Sequence, residues 1–428
     1  MIWVYRLLFL PALLLAAPYY LWRMRKRGGY AVGFGGRFGE VPELPAKSAA
    51  RKRVWLQAVS VGEMLAIGPL LEGLKRDGCE TYLTTTTSTG YALAKEKYAL
   101  LTIGIGYFPL DFWAFSARAW RQVQPDLCVL MEGERWPEHV RAARGRGVPV
   151  VSVNARLSDR SFRRSVRFKW ALRPLAAGIT RVLASAKRDE QRFRALGFPA
   201  ERLQTTGNLK LDVAIPLLDD AARVALRRAV GLPAGGLVLL GSSTWPGEEE
   251  ALLEALRRAR ADGHDVSLLL VPRHAERREE LRGLLERSGF SFHFRSEGAA
   301  PRTVDVAVGD TTGELRQLTQ LADLVFVGKS LPPHDGGQTP VEAAILGKPV
   351  LHGPRMTNFR DIIRSLTEAD AVRRVATHAE LVRLAVELLE NAAEREQLAA
   401  AARAWSAANR GATERTLAVL RAELAARA

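Results

Sequence analysis

The sequence contains only two cysteines, Cys79 and Cys128, among its 428 residues. Both lie in apolar, strand-like contexts without the spacing of metal ligands, so nothing indicates a disulfide framework and a cytosol-facing chain is expected. The seven histidines also lack ligand spacing, and no Asp-x-Asp motif occurs. These absences argue against a bound metal.

The sequence also lacks the two common nucleotide-binding fingerprints. It has neither a Walker A loop nor a G-x-G-x-x-G motif, which argues against a P-loop NTPase and against a dehydrogenase. No tandem repeat occurs, and the only biased composition is the Ala-, Arg- and Glu-rich C-terminal part, which is typical of solvated helix faces.

Acidic residues are in the minority: the sequence has 46 Asp and Glu but 62 Lys and Arg, which gives a formal net charge of +16. This balance implies an anionic partner, which could be nucleic acid, a membrane surface or a phosphorylated substrate. The chain is 47% apolar and long enough for two cores, since one core rarely exceeds about 250 to 300 residues. We therefore expect two domains.

The N-terminus contains an apolar run, LLFLPALLLAAPYYLW from Leu7 to Trp22, followed directly by RMRKR. The run is shorter than the roughly 20 residues of a spanning helix, and Pro11 and Pro18 weaken helix continuity. It resembles a signal anchor with aromatic ends, no cleavage site and a basic flank on the cytoplasmic side. We predict that residues 1–27 form a membrane anchor or interfacial helix, with a buried helix as the alternative.

Beyond the N-terminus, short apolar runs alternate with segments of helical period. Four of these runs are typical of strands buried on both faces of a parallel sheet: RVWLQAVS, ETYLTTTT, DLCVLME and VPVVSVNA. A second series follows with LVLLGSS, VSLLLVP, LVFVGKS and KPVLHGP. The pattern predicts an α/β fold with two domains facing a cleft. The first domain covers residues 28–206, the linker 207–220, and the second domain 221–428 with the C-terminal helices.

Ligands of such sheets bind beyond the carboxyl ends of the strands, so polar residues there are candidates. Glu63 follows the first strand in a Ser-Val-Gly-Glu turn, where it either caps the next helix or acts as a general base. Glu132 follows the strand DLCVLM, and Lys210 lies in the predicted linker. Carboxylates and cations at successive strand ends indicate a site.

In the second half of the chain, glycine-rich turns precede helices. Backbone amides and the helix dipole at such places favour an anion, which predicts a nucleotide in the second domain. Arg273 and His274 also follow a strand there. Each glycine alone could be an ordinary turn residue.

Taken in order, several motifs resemble those of the 3-deoxy-D-manno-octulosonic acid (Kdo) transferases of lipopolysaccharide synthesis. They are SVGE, PLD, EGERWP, NARLSDRS, GNLKLD, VPRH, GDTTGEL, FVGKSL and GGQTPVEAA. The resemblance runs from about Arg37 to Phe359, and the N-terminal anchor is similar too. It implies a GT-B glycosyltransferase fold with two Rossmann-like domains, and CMP-Kdo as donor without a further cofactor. It also implies the lipid A precursor lipid IVA as acceptor, at the cytoplasmic face of the inner membrane.

The resemblance implies a role for each candidate residue. Glu63 matches the family's catalytic base, and Glu132 and Lys210 match positions that stabilise the transition state. The positions that match CMP-binding residues are Arg273, His274, Gly313, Glu314, Leu315, Thr339 and Glu342. A base opposite the leaving group implies inversion, and Lys210, Arg273 and helix dipoles would neutralise the leaving phosphate in place of a metal.

Several motifs depart from the family's pattern. Its ETELWPN, STH, TMGEL, GGS and GGHNPLE appear here as EGERWPE, STW, TTGEL, GKS and GGQTPVE. At Thr339 an asparagine is replaced by a residue that offers only a hydroxyl to the nucleotide. Two alternatives therefore stay open: a GT-B transferase that uses a different nucleotide sugar, and a non-catalytic basic membrane-surface protein.

The basic stretch from Asn154 to Pro174 interleaves arginines with Phe162, Phe168 and Trp170. Its composition suits single-stranded nucleic acid, but beside an anchor it favours anionic headgroups and lipid A phosphates. A solvated helix face is the other interpretation. The predicted partners are the lipid A precursor, CMP-Kdo and the inner membrane, with no nucleic acid and no obligate protein partner.

Overall fold

The structure, a computed structural model, describes residues 2–27, 32–168 and 178–426. The chain forms two compact units. The first unit comprises Met1–Val213 together with Asn409–Ala428, and the second comprises Ala214–Ala408. Over the described residues, each unit contains one seven-stranded sheet in which all neighbouring strands are parallel. The predicted α/β class with two Rossmann-like domains is confirmed.

The sheet of the first unit has the strand order β3-β2-β1-β4-β5-β6-β7. Its strands are β1 (Arg53–Gln57), β2 (Glu80–Thr85), β3 (Gly104–Tyr107), β4 (Leu127–Met131), β5 (Val150–Ala155), β6 (Arg181–Ala184) and β7 (Leu203–Thr205). Its helices are α1 (Ile2–Arg27), α2 (Val61–Ala66), α3 (Gly68–Arg76), α4 (Ser88–Tyr98), α5 (Trp113–Val123), α6 (Pro137–Gly145), α7 (Asp159–Arg167), α8 (Lys187–Ala195) and, from the end of the chain, α17 (Ala412–Ala425). The four strands predicted for this half are β1, β2, β4 and β5, which are buried along their whole length.

The sheet of the second unit has the strand order β10-β11-β9-β8-β12-β13-β14. Its strands are β8 (Leu237–Thr244), β9 (Val266–Pro272), β10 (Phe292–Phe294), β11 (Val306–Val308), β12 (Leu324–Val327), β13 (Val350–His352) and β14 (Val372–Arg374). Its helices are α9 (Asp220–Ala229), α10 (Glu248–Ala261), α11 (Arg278–Ser288), α12 (Leu315–Leu318), α13 (Val341–Ile345), α14 (Arg360–Glu368), α15 (His378–Glu390) and α16 (Ala392–Asn409). The four strands predicted for this half are β8, β9, β12 and β13.

Both sheets have a topological switch point, between β1 and β4 in the first unit and between β8 and β12 in the second. The chain leaves the two central strands toward opposite sides there, which opens a crevice beyond their carboxyl ends where ligands bind. Glu63 and Glu132 follow β1 and β4, while Trp245 and Lys329 follow β8 and β12. The topology therefore brings polar segments that are distant in sequence to one place in each unit.

The unit boundaries differ from the predicted ones at two places. Residues 207–213 belong to the first unit rather than to a linker, because Leu209 is fully buried there. Helix α17 also belongs to the first unit and not to the predicted domain 221–428, because its leucines share a core cluster with leucines of α3. Asp212 links the two segments by accepting a hydrogen bond from the Gly411 N–H at 2.8 Å.

Helix α1 contains the predicted membrane anchor and includes both Pro11 and Pro18. In the described ranges, no helix is by itself long and apolar enough to cross a membrane. The segments Ile2–Phe9 and Pro11–Trp22, bent by 43°, meet the requirements of length and composition only as a pair. The membrane anchor stays a prediction.

Polar contacts attach α1 to the first unit near its N-terminal end. The Tyr5 hydroxyl donates a hydrogen bond to the Asp111 carboxylate at 2.6 Å, and Arg6 Nη2 donates one to Glu138 at 2.9 Å. Leu15, farther along the helix, is 84% exposed. The alternative of a buried N-terminal helix therefore does not hold.

Candidate functional site

Glu63 lies in the first turn of helix α2, just beyond strand β1. Ser60 is the N-cap residue, and its hydroxyl oxygen accepts a hydrogen bond from the Glu63 N–H at 3.2 Å. The Glu63 carboxylate accepts hydrogen bonds from the Ser60 hydroxyl at 2.9 Å and from the Val59 N–H at 2.8 Å. These reciprocal bonds resemble a capping box, so Glu63 does cap its helix. They also hold the carboxylate in one orientation, and the residue as a whole is only 7% exposed.

Glu132 follows strand β4, and its carboxylate contacts two cationic side chains. Its carboxylate accepts hydrogen bonds from Lys210 Nζ at 2.9 Å and from Arg156 Nε at 3.1 Å. Its φ of 53° lies in the left-handed region, which is uncommon for a residue other than glycine and clusters at functional sites. The structure thus brings two of the predicted catalytic residues into direct contact.

Lys210 is positioned by two asparagines. It lies in a short 3-10 turn, Leu209–Leu211, whose N-cap residue Asn208 accepts a hydrogen bond from the Lys210 N–H at 3.0 Å. The buried side chain of Asn154, at the end of β5, accepts a hydrogen bond from the Leu209 N–H at 3.1 Å. These bonds satisfy backbone N–H groups of the turn and fix its path. Both asparagines lie in the motifs named above, but the sequence analysis assigned neither a role.

Three carboxylates interact electrostatically in this site. Burial raises the pKa of Glu63, and the charge of Glu132 raises it further against the opposing effects of hydrogen bonds and of Lys210. Burial also raises the pKa of Glu134 to about 7, with contributions from the charges of Glu63 and Glu132. Glu134 lies in the EGERWP motif two positions beyond Glu132, and its place at a strand end did not by itself indicate a role.

In the second unit, Arg273 and His274 follow strand β9. The Arg273 N–H donates a hydrogen bond to the Thr244 carbonyl at 3.2 Å, and the Arg273 side chain is exposed. The His274 ring packs edge-on against Trp245, with 5.2 Å between ring centroids, and lies 3.3 Å from the Glu276 carboxylate. The two residues are therefore accessible at the same strand ends as Trp245.

The turn before helix α12 contains three of the predicted nucleotide-binding residues. Gly313 has a φ of 95°, a conformation that favours glycine, and no heavy atom lies within 4 Å of a Cβ built on it. The Glu314 carboxylate lies 3.3 Å from Arg295, and Leu315 is the first residue of α12. This turn has open space beside its backbone.

An ion pair connects that turn to the segment that begins at Thr339. The Arg316 guanidinium lies 3.8 Å from the Glu342 carboxylate. The Thr339 hydroxyl donates a hydrogen bond to Glu342 at 3.0 Å and accepts one from the Val341 N–H at 3.2 Å. Thr339 therefore orders the turn before α13. The predicted nucleotide-binding residues of both segments are neighbours within this unit.

Glu248 is a residue of the second unit that sequence reasoning missed. It is fully buried in the first turn of α10. Its carboxylate accepts hydrogen bonds from four backbone N–H groups, those of Trp245 at 3.0 Å, Lys329 at 2.8 Å, Ser330 at 2.9 Å and Leu331 at 3.2 Å. It ties the turn after β8 to the turn after β12. In the sequence it is the first glutamate of Gly247-Glu248-Glu249, directly after the turn that follows β8.

Within residues 2–27, 32–168 and 178–426, no three His, Cys, Asp or Glu side chains are grouped so that they could hold a metal ion. The His334 ring lies 2.7 Å from the Pro246 carbonyl oxygen, as expected of a loop residue. Of the basic stretch, residues 169–174 with Trp170 lie outside the described residues. Phe168, at its described end, is 49% exposed.

Comparison with known proteins relates the first unit to a family model. Residues 33–213 match the model described as 3-Deoxy-D-manno-octulosonic-acid transferase (kdotransferase). Over 411 residues the chain is 36% identical to the 3-deoxy-D-manno-octulosonic acid transferase of Bordetella pertussis, covering 93% of this chain and 94% of that one. Over 421 residues it is 33% identical to that of Haemophilus influenzae, covering 97% and 94%.

Solved structures share the fold at lower sequence identity. HepE from Anabaena in complex with UDP has a TM-score of 0.60 at 17% identity, covering 87% of this chain and 99% of that one. The UDP-GlcNAc 2-epimerase from Neisseria meningitidis bound to UDP-GlcNAc has a TM-score of 0.62 at 15% identity, covering 86% and 99%. These likenesses show a GT-B-like architecture and nothing further. On the identity to relatives over nearly its whole length, the chain belongs to the family of 3-deoxy-D-manno-octulosonic acid transferases, which are glycosyltransferases.

Proposed function

We propose that this protein transfers Kdo from CMP-Kdo to lipid IVA with inversion at the anomeric carbon, without a metal, and with Glu63 as the general base. The observation that carries the proposal is the Lys210–Glu132 pair, 2.9 Å apart, electrostatically coupled to Glu63 in a chain whose relatives are Kdo transferases. The relatives support the sugar, and the ionic cluster supports the chemistry.

Glu63 has the environment of a general base. In the reaction, the acceptor hydroxyl oxygen attacks the anomeric carbon, the bond from that carbon to the phosphate oxygen breaks, and the hydroxyl proton passes to Glu63. Burial and the charge of Glu132 raise the pKa of Glu63, which makes its carboxylate a stronger base near neutral pH. The hydrogen bonds from Ser60 and Val59 keep this base in one orientation.

Glu132 and Lys210 match the charges that develop during transfer. The anomeric carbon gains positive charge and the leaving phosphate gains negative charge, so a carboxylate stabilises the first and an ammonium the second. In the free protein the two side chains neutralise each other. Arg156, 3.1 Å from Glu132, keeps that carboxylate paired when Lys210 binds the phosphate.

The second unit supplies the CMP-binding residues of the proposal. They are Arg273, His274, Gly313, Glu314, Leu315, Thr339 and Glu342. Support comes from the exposed Arg273 guanidinium, from the open turn at Gly313, and from the Arg316–Glu342 pair that brings two of the segments together. Lys210, Arg273 and helix dipoles take the charge of the leaving phosphate in place of a metal.

The proposal places the protein on the cytoplasmic face of the inner membrane, where its lipid acceptor lies. Support comes from α1, whose apolar residues Leu7 and Leu15 are 75% and 84% exposed while Tyr5 and Arg6 hold the helix to the first unit. The basic residues of α7 add attraction to anionic headgroups, at roughly 1 kcal/mol for each cation near the surface.

A GT-B transferase with a different nucleotide sugar is the second candidate. The departures from the family's motifs at Trp245 and Lys329 lie at the switch point of the second unit. Ligands of such sheets bind there, so a change at this place could alter which nucleotide sugar is bound. The joint presence of Glu63, Glu132 and Lys210 argues against a non-catalytic membrane-surface protein. A screen of nucleotide sugars separates the two enzymatic candidates.

The test is incubation of the purified full-length protein with CMP-Kdo and lipid IVA, with the lipid product read by mass spectrometry. We expect the wild type to add Kdo mass. Glu63→Gln should lower the rate by about 10²- to 10⁴-fold, because the amide keeps the helix cap but takes no proton. The matched control is Glu72→Gln, an exposed change on helix α3 that should keep full activity.

Each negative result has its own meaning. A folded wild type that adds no Kdo mass would refute the proposed function and leave the donor screen to decide. Full activity in Glu63→Gln would refute the role of Glu63 while leaving the transfer itself intact.

A further inference from the structure

Two residues that depart from the family's motifs contact each other in the second unit. Trp245, the last residue of STW, follows strand β8, and Lys329, the central residue of GKS, follows its neighbour β12. The Lys329 Nζ lies 4.8 Å from the centroid of the Trp245 ring, within the range of a cation–π contact. The two departures therefore form one feature at the switch point, where ligands of such sheets bind.

Lys329 occupies a backbone conformation that favours glycine. Its φ is 58°, and the glycine of the family's GGS would adopt this value without strain. The preceding Gly328 leaves no room for adjustment, because a Cβ built on it would lie 2.5 Å from the Ser243 carbonyl oxygen. Strained residues persist where the surroundings hold them, and they cluster at functional sites. The strain at Lys329 thus points to a function for its side chain.

The frame around these two side chains is rigid. The buried Glu248 carboxylate accepts hydrogen bonds from the Trp245 N–H at 3.0 Å and from the Lys329 N–H at 2.8 Å. Both backbones are therefore attached to the same carboxylate, which fixes the two points from which the side chains extend.

Lys329 is bound to a carboxylate only through its backbone, where the N–H donates a hydrogen bond to Glu248 at 2.8 Å. Two histidine rings flank Trp245, those of His274 and His334, each with its centroid 5.2 Å from the Trp245 ring. His274 has Glu276 at 3.3 Å. In the part of the chain that the structure describes, no carboxylate lies within ion-pair distance of the Lys329 ammonium. An ammonium without a counter-ion at this place is suited to an oxyanion.

We propose that Lys329, held by the ring of Trp245, forms an anion subsite that binds an oxyanion of the donor, either its phosphate or its sugar carboxylate. The inference rests on the proposed function, because His274 beside Trp245 belongs to the proposed CMP site. Lys329 is the contacting group and Trp245 is a positioning residue. The change from GGS to GKS then adds a ligand contact at the cost of backbone strain.

Calorimetric titration of the full-length protein with cytidine, CMP and CMP-Kdo tests the subsite. Lys329→Gly removes the ammonium and leaves the residue that suits a φ of 58°. We expect an unchanged or higher Tm, unchanged affinity for cytidine, and an affinity for the anionic ligand that is at least about tenfold lower. If the affinity for CMP is already lower, Lys329 binds the phosphate. If only the affinity for CMP-Kdo is lower, Lys329 binds the sugar carboxylate.

Three further variants separate the positioning role from general damage. Trp245→Phe keeps an aromatic face and should bind nearly as the wild type does, since the indole N–H has no hydrogen-bond partner among the described residues. Trp245→Leu should lower the affinity for the same ligand, CMP or CMP-Kdo, whose affinity is lowered in Lys329→Gly. Arg302→Ala removes an exposed cation of the same unit and should change nothing.

Unchanged affinities for CMP and CMP-Kdo in Lys329→Gly would overturn the subsite while leaving the proposed transferase intact. An equal loss for cytidine would also overturn it, because cytidine carries no anion. A wild type that binds neither CMP nor CMP-Kdo would refute the proposed donor, and the subsite with it.

Discussion

Glu132 and Glu134 are separated by one residue beyond strand β4, yet their surroundings give them different properties. Glu132 is paired with Lys210 and Arg156. At Glu134, burial dominates and raises the pKa to about 7, and the charges of Glu63 and Glu132 act in the same direction. A carboxyl group that titrates near neutral pH inside a charged site affects both stability and activity.

Glu134→Gln is predicted to stabilise the protein at pH 8 and much less at pH 5. The pKa of Glu134 rises from 4.5 to about 7 on folding, so its contribution to stability is present below pH 4.5 and is lost as the pH rises toward 7. At pH 8 the variant should gain at most about 3 kcal/mol. Thermal unfolding at the two pH values measures the difference, and an equal shift of Tm at both would contradict the raised pKa.

The turns after β8 and β12 are joined by one buried carboxylate. Glu248 accepts four backbone hydrogen bonds from these turns although it lies in the first turn of α10. Burial raises the pKa of Glu248 and the hydrogen bonds oppose this. The position of the proposed anion subsite therefore depends on a residue that is fully buried.

Glu248→Gln is predicted to destabilise the second unit by about 2–4 kcal/mol. The amide nitrogen cannot accept the hydrogen bonds that one carboxylate oxygen now accepts from backbone N–H groups. The measurement is chemical denaturation. Glu250→Gln, in the same helical turn, is the matched control. The exposed Glu250 carboxylate accepts one hydrogen bond, from the Gly247 N–H at 2.9 Å. The free energy of unfolding should therefore fall by less than about 1 kcal/mol. Equal stability of the two variants would show that the Glu248 network does not stabilise the unit.

The chain ends by returning to the unit where it began. Leu417 and Leu420 of α17 are fully buried in a core cluster with Leu70 and Leu71 of α3. Surface ion pairs such as Arg421–Asp77 accompany this packing, but exposed pairs of this kind contribute little. The C-terminal helix is therefore part of the core of the first unit.

Removal of residues 411–428 is predicted to destabilise the first unit by on the order of 5 kcal/mol, since several buried leucines would lose their partners. Differential scanning calorimetry should show the loss as a lower transition temperature. The control variant Arg421→Ala should leave the transition temperature nearly unchanged, because exposed ion pairs contribute little. A truncated protein that unfolds like the full chain would mean that α17 adds no core packing.

In the first unit, the strands predicted from the sequence share one property that the unpredicted ones lack. β1, β2, β4 and β5 have five or six residues and are buried throughout, so each forms an unbroken run that the sequence shows. Strand β3 is the four-residue segment GIGY, and β7 has three residues that are partly exposed. Such short segments carry too few positions to show a period, and their neighbours in the sheet determine them.

The candidate site was predictable to the extent that it follows the strand-end rule. Glu63, Glu132, Arg273 and His274 each follow a strand, and the structure places each one at such an end. Lys210 does not belong to a linker, because its turn is held by Asn154 from the end of another strand. Neither that hydrogen bond nor the raised pKa of a neighbouring carboxyl has a local signature.

The α/β class, the number of domains, the family and the residues at the strand ends can be predicted from the sequence, because hydrophobic period and motif order are local properties of the chain. Which of these residues come into contact depends on the tertiary fold. The Lys210–Glu132 pair joins positions 78 apart, and the Lys329–Glu248 bond joins positions 81 apart. Contacts of this kind, like the return of α17 to the first core, depend on strand order and helix packing. They arise only when the whole chain is folded.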